Sequence, residues 1–180
     1  MTFMRICESS GANKNTHTHR GYKFAYQYAL NRLIAQSKVA YTIDLFAREC
    51  TWADIRNDIN PKFFPQYTNR CEDALELLNE YENQVFDVIL FDPPFSDNQS
   101  KTKYGTNNLY ANPGYISKIG TEMYRVLKTN GYIVKAGYNS NPPFKGMKLC
   151  YTILSYYHGS RNDVIFTVWE KQNASLYHFE

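Results

Sequence analysis

Apolar positions along the chain follow two alternating periods. Between residues 22 and 34 they lie three and four positions apart, which predicts a helix with one apolar stripe. The stripe consists of Tyr22, Ala25, Tyr26, Ala29, Leu30, Leu33 and Ile34. Residues 39–46, 53–59 and 67–71 are short and rich in β-strand formers, which predicts three strands. From Glu72 the helical spacing returns at Ala74, Leu75, Leu78 and Tyr81.

The second half of the chain continues this alternation. Residues 86–91 are apolar almost without a break, as in a strand buried on both faces. Residues 96–114 are polar and aperiodic, which predicts a long mobile loop of the kind that often carries function. A helix then follows Pro113-Gly114, with Ile116, Ile119, Met123, Val126 and Leu127 on one stripe, and should stop at Asn130-Gly131. Further strands are predicted at 132–136, 147–157 and 163–170, the last two joined by a hairpin turn at 158–162.

Strands that alternate with helices and finish in a hairpin predict an α/β sheet, mostly parallel with a C-terminal antiparallel hairpin. The 180 residues fit a single domain, 1–180, that begins with a polar segment at 1–20. Asp44 and Asp58 are only 14 positions apart, and the next connection, NPKFFPQ, contains two prolines. The first crossover helices should therefore be shortened or missing. Trp52, Phe63 and Phe64, or another protein chain, would then cover the sheet face left open.

Composition and charge narrow the function classes. The chain is 43% hydrophobic and 21% charged, as in ordinary globular domains, and its net charge of +3 permits a nucleic-acid partner without requiring one. Its four cysteines are far apart and form no C-x-x-C pair, so neither a disulfide framework nor a zinc ribbon is indicated, and a reducing, cytoplasmic location is expected. No apolar run has the length of a signal peptide or a membrane span.

Four aspartates stand at or just past the ends of predicted strands: Asp44, Asp58, Asp73 and Asp92. In a parallel α/β sheet the carboxyl ends of the strands share one edge, and ligands bind there. Any one of the four could instead be a turn residue or a helix cap, Asp73 in particular. Their shared position favours a binding site.

The strand at 86–91 ends on Asp92-Pro93-Pro94-Phe95, and the segments before it are IDLFA (43–47), NDIN (57–60) and EDAL (72–75). In order and character these resemble the successive motifs of class I S-adenosylmethionine-dependent methyltransferases, whose Rossmann-like sheet also ends in a hairpin. The resemblance covers roughly residues 20 to 170. It implies S-adenosylmethionine as cofactor. Its DPPF motif implies methylation of an amino nitrogen on a planar group, such as adenine N6, cytosine N4, guanine N2 or glutamine N5.

The same resemblance implies a role for each motif. Asp92, Pro93, Pro94 and Phe95 would be catalytic: the Asp92 carboxylate and the Pro93 carbonyl would accept the two amino hydrogens, the prolines would fix the turn, and Phe95 would stack on the substrate. The methionine part of the cofactor would be held by Asp44, Phe46, Ala47 and Arg48, its ribose by Asp58 with Ile59, and its adenine edge by Asp73 and Ala74. Substrate would be bound by Ser96, Gln99, Lys101, Lys103 and Tyr104 of the long loop, and phosphates also by Lys145 and Lys148.

The chain departs from this family in one loop: residues 47–50 are Ala-Arg-Glu-Cys, with no glycine where the family is glycine-rich. A narrower group is similar there as well. Small phage-encoded proteins described as adenine-specific DNA methyltransferases carry similar DLFAR-x-C, NDIN-P and DPP-aromatic-Ser segments. This similarity implies methylation of adenine N6 in DNA, and the host cytoplasm as location if the protein is viral.

The sequence is also compatible with other functions. The enzyme could be a ribosomal-RNA guanine-N2 methyltransferase, with RNA in place of DNA, or the chain could be a non-catalytic subunit that binds cofactor or a partner. A homodimer or a partner subunit could cover the helix-poor sheet face. His17 and His19 lack an identifiable third ligand, so no metal is expected. Asn13, Lys14 and His17 could instead line the carboxylate end of the cofactor.

Overall fold

The computed structural model describes residues 2–7, 20–36, 38–104, 114–156 and 163–173. The helices are α1 (Arg20–Ile34), α2 (Ala74–Asn79), α3 (Asp97–Tyr104) and α4 (Tyr115–Val126). The strands are β1 (Thr2–Cys7), β2 (Thr42–Asp44), β3 (Ile55–Arg56), β4 (Phe86–Phe91), β5 (Leu127–Gly137), β6 (Lys148–Tyr156) and β7 (Val164–Glu170). They form one sheet in the order β1-β6-β7-β5-β4-β2-β3.

The sheet is parallel except around β7, which runs antiparallel to both β5 and β6. This confirms the predicted mostly parallel α/β sheet with a C-terminal antiparallel hairpin. Asp44 at the end of β2 lies opposite Leu90, and Phe91 at the end of β4 lies opposite Lys135 of β5. The carboxyl ends of these three neighbouring strands therefore meet at one edge of the sheet.

Helices cover both faces of the central strands. On one face, α1 packs against Val88 and Leu90 of β4, and a Cβ on Gly21 would lie only 2.7 Å from the ring of Phe166. Glycine at this position thus lets α1 lie close against β7. On the other face, α2 and α4 pack against Ile89 and Phe91. Strand β4 is buried along its whole length, as its nearly continuous apolar run predicted.

The first two crossovers contain no α-helix, as the short spacing predicted. After β2 the chain turns through Trp52, which stacks on Tyr26 of α1 with ring centroids 5.8 Å apart. After β3 there is only a 3-10 turn, Pro61–Phe63. Trp52 packs against the core and Phe63 is buried, but Phe64 is 48% exposed, so the prediction that Phe64 covers the sheet is wrong.

Two elements were missed by the sequence patterns. Thr2–Cys7, within the segment expected to be only polar, forms β1 and pairs in parallel with β6, so that Thr2 lies opposite Tyr151. A six-residue edge strand whose partner is so distant in the chain leaves little local signal. Asp97–Tyr104, within the predicted loop 96–114, forms the polar helix α3. Residues 105–113 of that loop lie outside the described residues.

The end of α4 also differs from the prediction. The helix stops at Val126 rather than at Asn130-Gly131, because Leu127 is extended and pairs with Phe86 of β4. The Lys171 ammonium caps this end by donating hydrogen bonds to the carbonyls of Tyr124, at 2.6 Å, and Leu127, at 2.7 Å. Asn130, with a left-handed φ of 62°, lies instead within β5. Its N–H donates to the Lys171 carbonyl at 2.8 Å. The Asn-Gly pair therefore accommodates an irregularity in a strand.

The predicted strands near the other sheet edge are shorter than expected. Of residues 39–46 only Thr42–Asp44 is a strand, of 53–59 only Ile55–Arg56, and 67–71 contributes one bridge between Arg70 and Asn57. The hairpin turn at 158–162 lies outside the described residues. Within the parts that are described, no helix combines the length and the apolar character needed to span a bilayer.

Candidate active site

Asp44 is fully buried at the carboxyl end of β2. Its Oδ1 accepts a hydrogen bond from the Phe46 N–H at 3.1 Å, and the carboxylate also accepts one from the thiol of Cys50. Burial raises the pKa of Asp44 to about 8; the Phe46 amide opposes this rise, and the charges of Asp92 and Asp58 add to it. A buried carboxylate in such surroundings is suited to a cationic ligand, because buried charges are stable only when paired.

Asp92 lies on the neighbouring strand, just past the end of β4 and two residues beyond Leu90, the partner of Asp44 in the sheet. It is buried, as are Pro93 and Pro94. Tyr22 of α1 is also buried in this region. Burial, followed by the charges of Asp44 and Asp92, raises the pKa of the Tyr22 hydroxyl. The helical pattern identified Tyr22 only as a core residue, so its place beside the two carboxylates was missed.

Phe95 forms the tip of the DPPF segment and is half-buried. Its N–H donates to Oε1 of Gln99 at 2.6 Å, and its ring meets the ring of Tyr138 edge-on, with centroids 4.7 Å apart at 66°. Tyr138 follows β5 and is 46% exposed. An aromatic corner, formed by Phe95 and Tyr138, thus stands beside Asp92.

The loop that carries Tyr138 is fastened by Lys135 of β5. The Lys135 Nζ donates to Asn139 Oδ1 at 2.9 Å and to the Asn141 carbonyl at 2.8 Å. Burial lowers the pKa of this ammonium. Neither Tyr138 nor Lys135 was predicted as a site residue. The only feature of the sequence that could have indicated them is their position near the end of β5, the strand next to β4.

The glycine-free loop 47–50 makes a tight turn in which the Cys50 N–H donates to the Ala47 carbonyl at 2.7 Å. Arg48 has a φ of 50°, a left-handed conformation that glycine adopts far more readily. Phe46 and Ala47 are buried beside it, and the Arg48 guanidinium lies 6.0 Å from the centre of the Phe63 ring. The loop therefore contains a glycine-type turn without a glycine.

Asn57 connects this loop to the next strand ends. Its N–H donates to the Asp44 carbonyl at 2.9 Å, and its own carbonyl accepts from the Ala47 N–H at 2.7 Å. Its side chain is buried and donates to the carbonyls of Leu45, at 3.3 Å, and Glu72, at 3.0 Å. The NDIN segment drew attention to Asp58, and the organising role of Asn57 was missed.

Asp58 follows β3, and Asp73 follows the single bridge between Arg70 and Asn57. Asp58 is buried, with Ile59 beside it in the chain, and its Oδ1 accepts from the Asn60 N–H at 2.9 Å. Asp73 Oδ1 caps α2 by accepting from the N–H groups of Leu75, at 2.8 Å, and Glu76, at 3.2 Å. The structure thus gives Asp73 the capping role that was the alternative to a ligand contact.

Tyr115, at the start of α4, is a further residue near this end of the site that the sequence did not indicate. Its hydroxyl donates to Asp73 Oδ2. Burial and this carboxylate raise the pKa of Tyr115. Ala74 is buried in the first turn of α2. Asp73 is therefore held from both sides, by the N-terminus of α2 and by α4.

The predicted substrate-binding residues fall into three groups. Ser96 immediately precedes α3, and its Oγ accepts from the Gln99 N–H, while the side chain of Gln99 accepts from the Phe95 N–H of the DPPF segment. Lys101 is exposed on α3, whereas the side chains of Lys103 and Tyr104 lie outside the described part of the chain. Lys145 is exposed, and Lys148 Nζ lies 3.7 Å from a carboxylate oxygen of Glu170. Asn13, Lys14, His17 and His19 also lie outside the described residues.

No group of three histidine, cysteine, aspartate or glutamate side chains suited to a metal ion occurs among the residues that the structure describes. The carboxylates at the sheet edge instead lie along successive strand ends. Their arrangement suits an extended organic ligand with hydrogen-bond donors and a positive charge.

Comparisons with known proteins find likeness in structure and none in sequence. No model of a protein family matches the chain, and no curated protein matches it. Among solved structures, the N-methyltransferase NodS from Bradyrhizobium japonicum, in complex with S-adenosyl-L-homocysteine, is similar with a TM-score of 0.55 and 10% identity, over 89% of this chain and 90% of that chain. The fold is that of class I methyltransferases.

Two other structures share this class I methyltransferase fold. TrmN from Thermus thermophilus is similar with a TM-score of 0.52 and 14% identity, over 86% of this chain and 53% of that chain. A protein from Haemophilus influenzae described as a candidate methylase is similar with a TM-score of 0.55 and 14% identity, over 85% of this chain and 99% of that chain. At such identities the likeness concerns the architecture alone.

Proposed function

We propose that the protein is an S-adenosylmethionine-dependent methyltransferase that modifies an exocyclic amino group, with adenine N6 in DNA as its substrate. One observation carries this proposal. The buried Asp92-Pro93-Pro94 end of β4 lies beside the end of β2, where the Asp44 carboxylate is fully buried and its pKa is raised to about 8. A site for an amino group and a site for a cation thus share one sheet edge.

The residues on the cofactor side fit S-adenosylmethionine. This cofactor supplies an electrophilic methyl group on a positively charged sulfonium, and it also carries an ammonium group. Asp44 would hold the ammonium, since a nearby positive charge stabilises the ionised carboxylate that burial disfavours. Asp58 with Ile59 would hold the ribose hydroxyls. Asp73 and Ala74 would border the adenine, because a carboxylate oxygen has lone pairs beyond the one that Tyr115 uses.

The turn of the cofactor loop supports an active enzyme over a non-catalytic subunit. Arg48 takes the left-handed conformation that a glycine would take, so Phe46, Ala47 and Arg48 can shape the loop around the methionine part of the cofactor. NodS, which has a similar fold, is an N-methyltransferase solved with S-adenosyl-L-homocysteine. This likeness agrees with transfer to nitrogen.

On the substrate side, the site must activate the exocyclic amino nitrogen, which is a poor nucleophile. The lone pair of an exocyclic amino group is delocalised into its ring. Hydrogen bonds from the amino group to the Asp92 carboxylate and the Pro93 carbonyl would favour a pyramidal nitrogen whose lone pair is free to attack. Pro93 and Pro94 fix the backbone that carries these acceptors, so their positions are set before the substrate arrives. Phe95 would stack on the ring of the substrate, with Tyr138 at its edge.

A base within a duplex cannot enter such a site, so the target adenine must be flipped out or single-stranded. DNA is favoured because the DLFAR-x-C, NDIN-P and DPPF-Ser segments resemble those of adenine-specific DNA methyltransferases. The net charge of +3 suits a polyanion, and Lys101 is exposed on the helix that follows Phe95. Phosphate contacts of this kind position the strand without reading its sequence.

The test is transfer of a labelled methyl group from S-adenosylmethionine to single-stranded DNA, duplex DNA, RNA and protein, followed by digestion and mass spectrometry of the product. N6-methyladenine in DNA is the expected product. N2-methylguanine in RNA would overturn the choice of substrate while retaining the enzyme class. Binding of the cofactor without transfer to any of the four would contradict an enzymatic role.

A further inference from the structure

Gln99 lies in the first turn of α3 and is turned back toward the DPPF segment. Its side-chain Oε1 accepts a hydrogen bond from the Phe95 N–H at 2.6 Å, while the main-chain N–H of Gln99 donates to Ser96 Oγ at 3.2 Å. The Ser100 N–H donates to the Ser96 carbonyl at 2.9 Å, and Ser100 is fully buried. The Ser-x-x-Gln spacing thus forms a variant of the capping box, in which the glutamine bonds the residue just before the serine.

The position of this bond follows from the two prolines. Pro93 and Pro94 have no N–H, so Phe95 carries the first backbone donor after Asp92. The main chain of this segment can therefore donate a hydrogen bond to another element only from Phe95 onward. Gln99 supplies the acceptor and thereby joins the tip to α3. A side chain engaged in this way is poorly placed to contact a substrate as well.

We propose that Gln99 is a positioning residue that fixes the backbone at Phe95, and through it the orientation of the Phe95 ring against the substrate. This inference rests on the proposed function and replaces the expectation that Gln99 binds substrate directly. The Phe95 ring also meets the ring of Tyr138 edge-on, so the main-chain bond to Gln99 and this aromatic contact together define where a planar group can stack. Small displacements of positioning groups reduce catalytic rates strongly, by up to about 100-fold for 1 Å.

The first test follows the Phe95 amide by hydrogen exchange in the full-length protein, using NMR. Gln99→Met keeps the length of the side chain and removes the acceptor, whereas Gln99→Glu keeps an acceptor oxygen. Asn98→Ala, an exposed change in the same helical turn, is the matched control. We expect exchange at Phe95 to be at least tenfold faster in Gln99→Met and close to wild type in the other two. Equal protection in wild type and Gln99→Met would overturn the inference.

The second test compares methyl transfer by the same proteins. A positioning role predicts that kcat falls about tenfold in Gln99→Met, with an unchanged Kd for S-adenosylmethionine and an unchanged KM for DNA, and that Gln99→Glu restores it. A raised KM for DNA in both variants, with kcat unchanged, would identify Gln99 as a substrate contact and overturn the proposal. If wild type transferred no methyl group, the proposed function would be wrong, and so would the effect of Gln99 on kcat. The exchange rates would still decide whether the bond exists.

Discussion

Asn57 and Glu72 hold one another through two reciprocal hydrogen bonds: Asn57 Nδ2 donates to the Glu72 carbonyl at 3.0 Å, and the Glu72 N–H donates to Asn57 Oδ1 at 3.1 Å. The same Nδ2 also donates to the Leu45 carbonyl at 3.3 Å. A single buried amide thereby sets the spacing between the loop after β2, the end of β3 and the start of α2. These are the three segments that would surround the cofactor.

Replacing Asn57 with alanine should destabilise the fold by about 2–3 kcal/mol, because the buried backbone groups of Leu45 and Glu72 would lose their partners. The free energy of unfolding in urea measures this. Asn79→Ala, at an exposed position at the end of α2, serves as control and should change stability by less than about 0.5 kcal/mol. Equal effects of the two substitutions would contradict the role given to Asn57.

Arg48 offers a test of the glycine-free turn. With a φ of 50°, glycine should be tolerated there, since relief of the left-handed conformation offsets the entropy that glycine loses on folding. A β-branched residue should be strained. We expect Arg48→Gly to be more stable than Arg48→Val by about 1–2 kcal/mol in urea denaturation. Similar stability of the two variants would mean that the loop does not require a left-handed residue.

The pKa of Asp44 makes a prediction about stability and pH. Its value is raised to about 8 in the folded protein from an ordinary value of 3.8, so between these limits the folded state retains a proton that the unfolded state has lost. The contribution of Asp44 to stability is therefore fully present below about pH 4 and is lost as pH rises toward 8. Asp44→Asn cannot ionise and should lack this loss.

Thermal unfolding between pH 5 and 8 tests this prediction in the absence of cofactor. The Tm of wild type should fall relative to that of Asp44→Asn as pH increases across this interval. Parallel curves would show that the pKa of Asp44 is close to ordinary. They would also remove the reason to expect a cation beside this carboxylate.

Tyr138 tests the aromatic corner beside Asp92. Tyr138→Ala removes the edge contact with Phe95, whereas Tyr138→Phe retains it. Aromatic pairs contribute about 0.5–1.5 kcal/mol, so the alanine variant should lose about twofold to tenfold in kcat/KM for methyl transfer. The phenylalanine variant should remain near wild type. A comparable loss in both variants would show that the hydroxyl, and not the ring contact, matters.

The elements with strong local patterns were predictable, and those that depend on distant partners were not. Strand β4 and helices α1 and α4 carry strong apolar patterns, and each was found as predicted except that α4 ends at Val126, before Asn130-Gly131. Strand β1 depends on β6, which lies far along the chain. Helix α3 has no apolar stripe at all, although the Ser96-x-x-Gln99 spacing is a helix-start signal that could have identified it.

Within the candidate site, the sequence predicted the charged residues suited to bind a ligand. It did not predict the residues that hold the surrounding loops in position. The carboxylates Asp44, Asp58 and Asp92 were placed correctly at one sheet edge because strand ends can be located from apolar runs. Asn57 and Tyr138 act through contacts with segments remote in the chain, which no local pattern encodes. The left-handed Arg48 was hidden because an arginine gives no signal for that conformation.

The most direct measurement of the central proposal is methyl transfer from labelled S-adenosylmethionine to DNA by wild type and Asp92→Ala, with Glu82→Gln as an exposed control change. Removal of an amino-group acceptor from the site should lower the transfer rate by about 100-fold or more, with the Kd for S-adenosylmethionine unchanged and the control variant fully active. Equal transfer by wild type and Asp92→Ala would contradict the role of the DPPF segment and, with it, the proposed reaction.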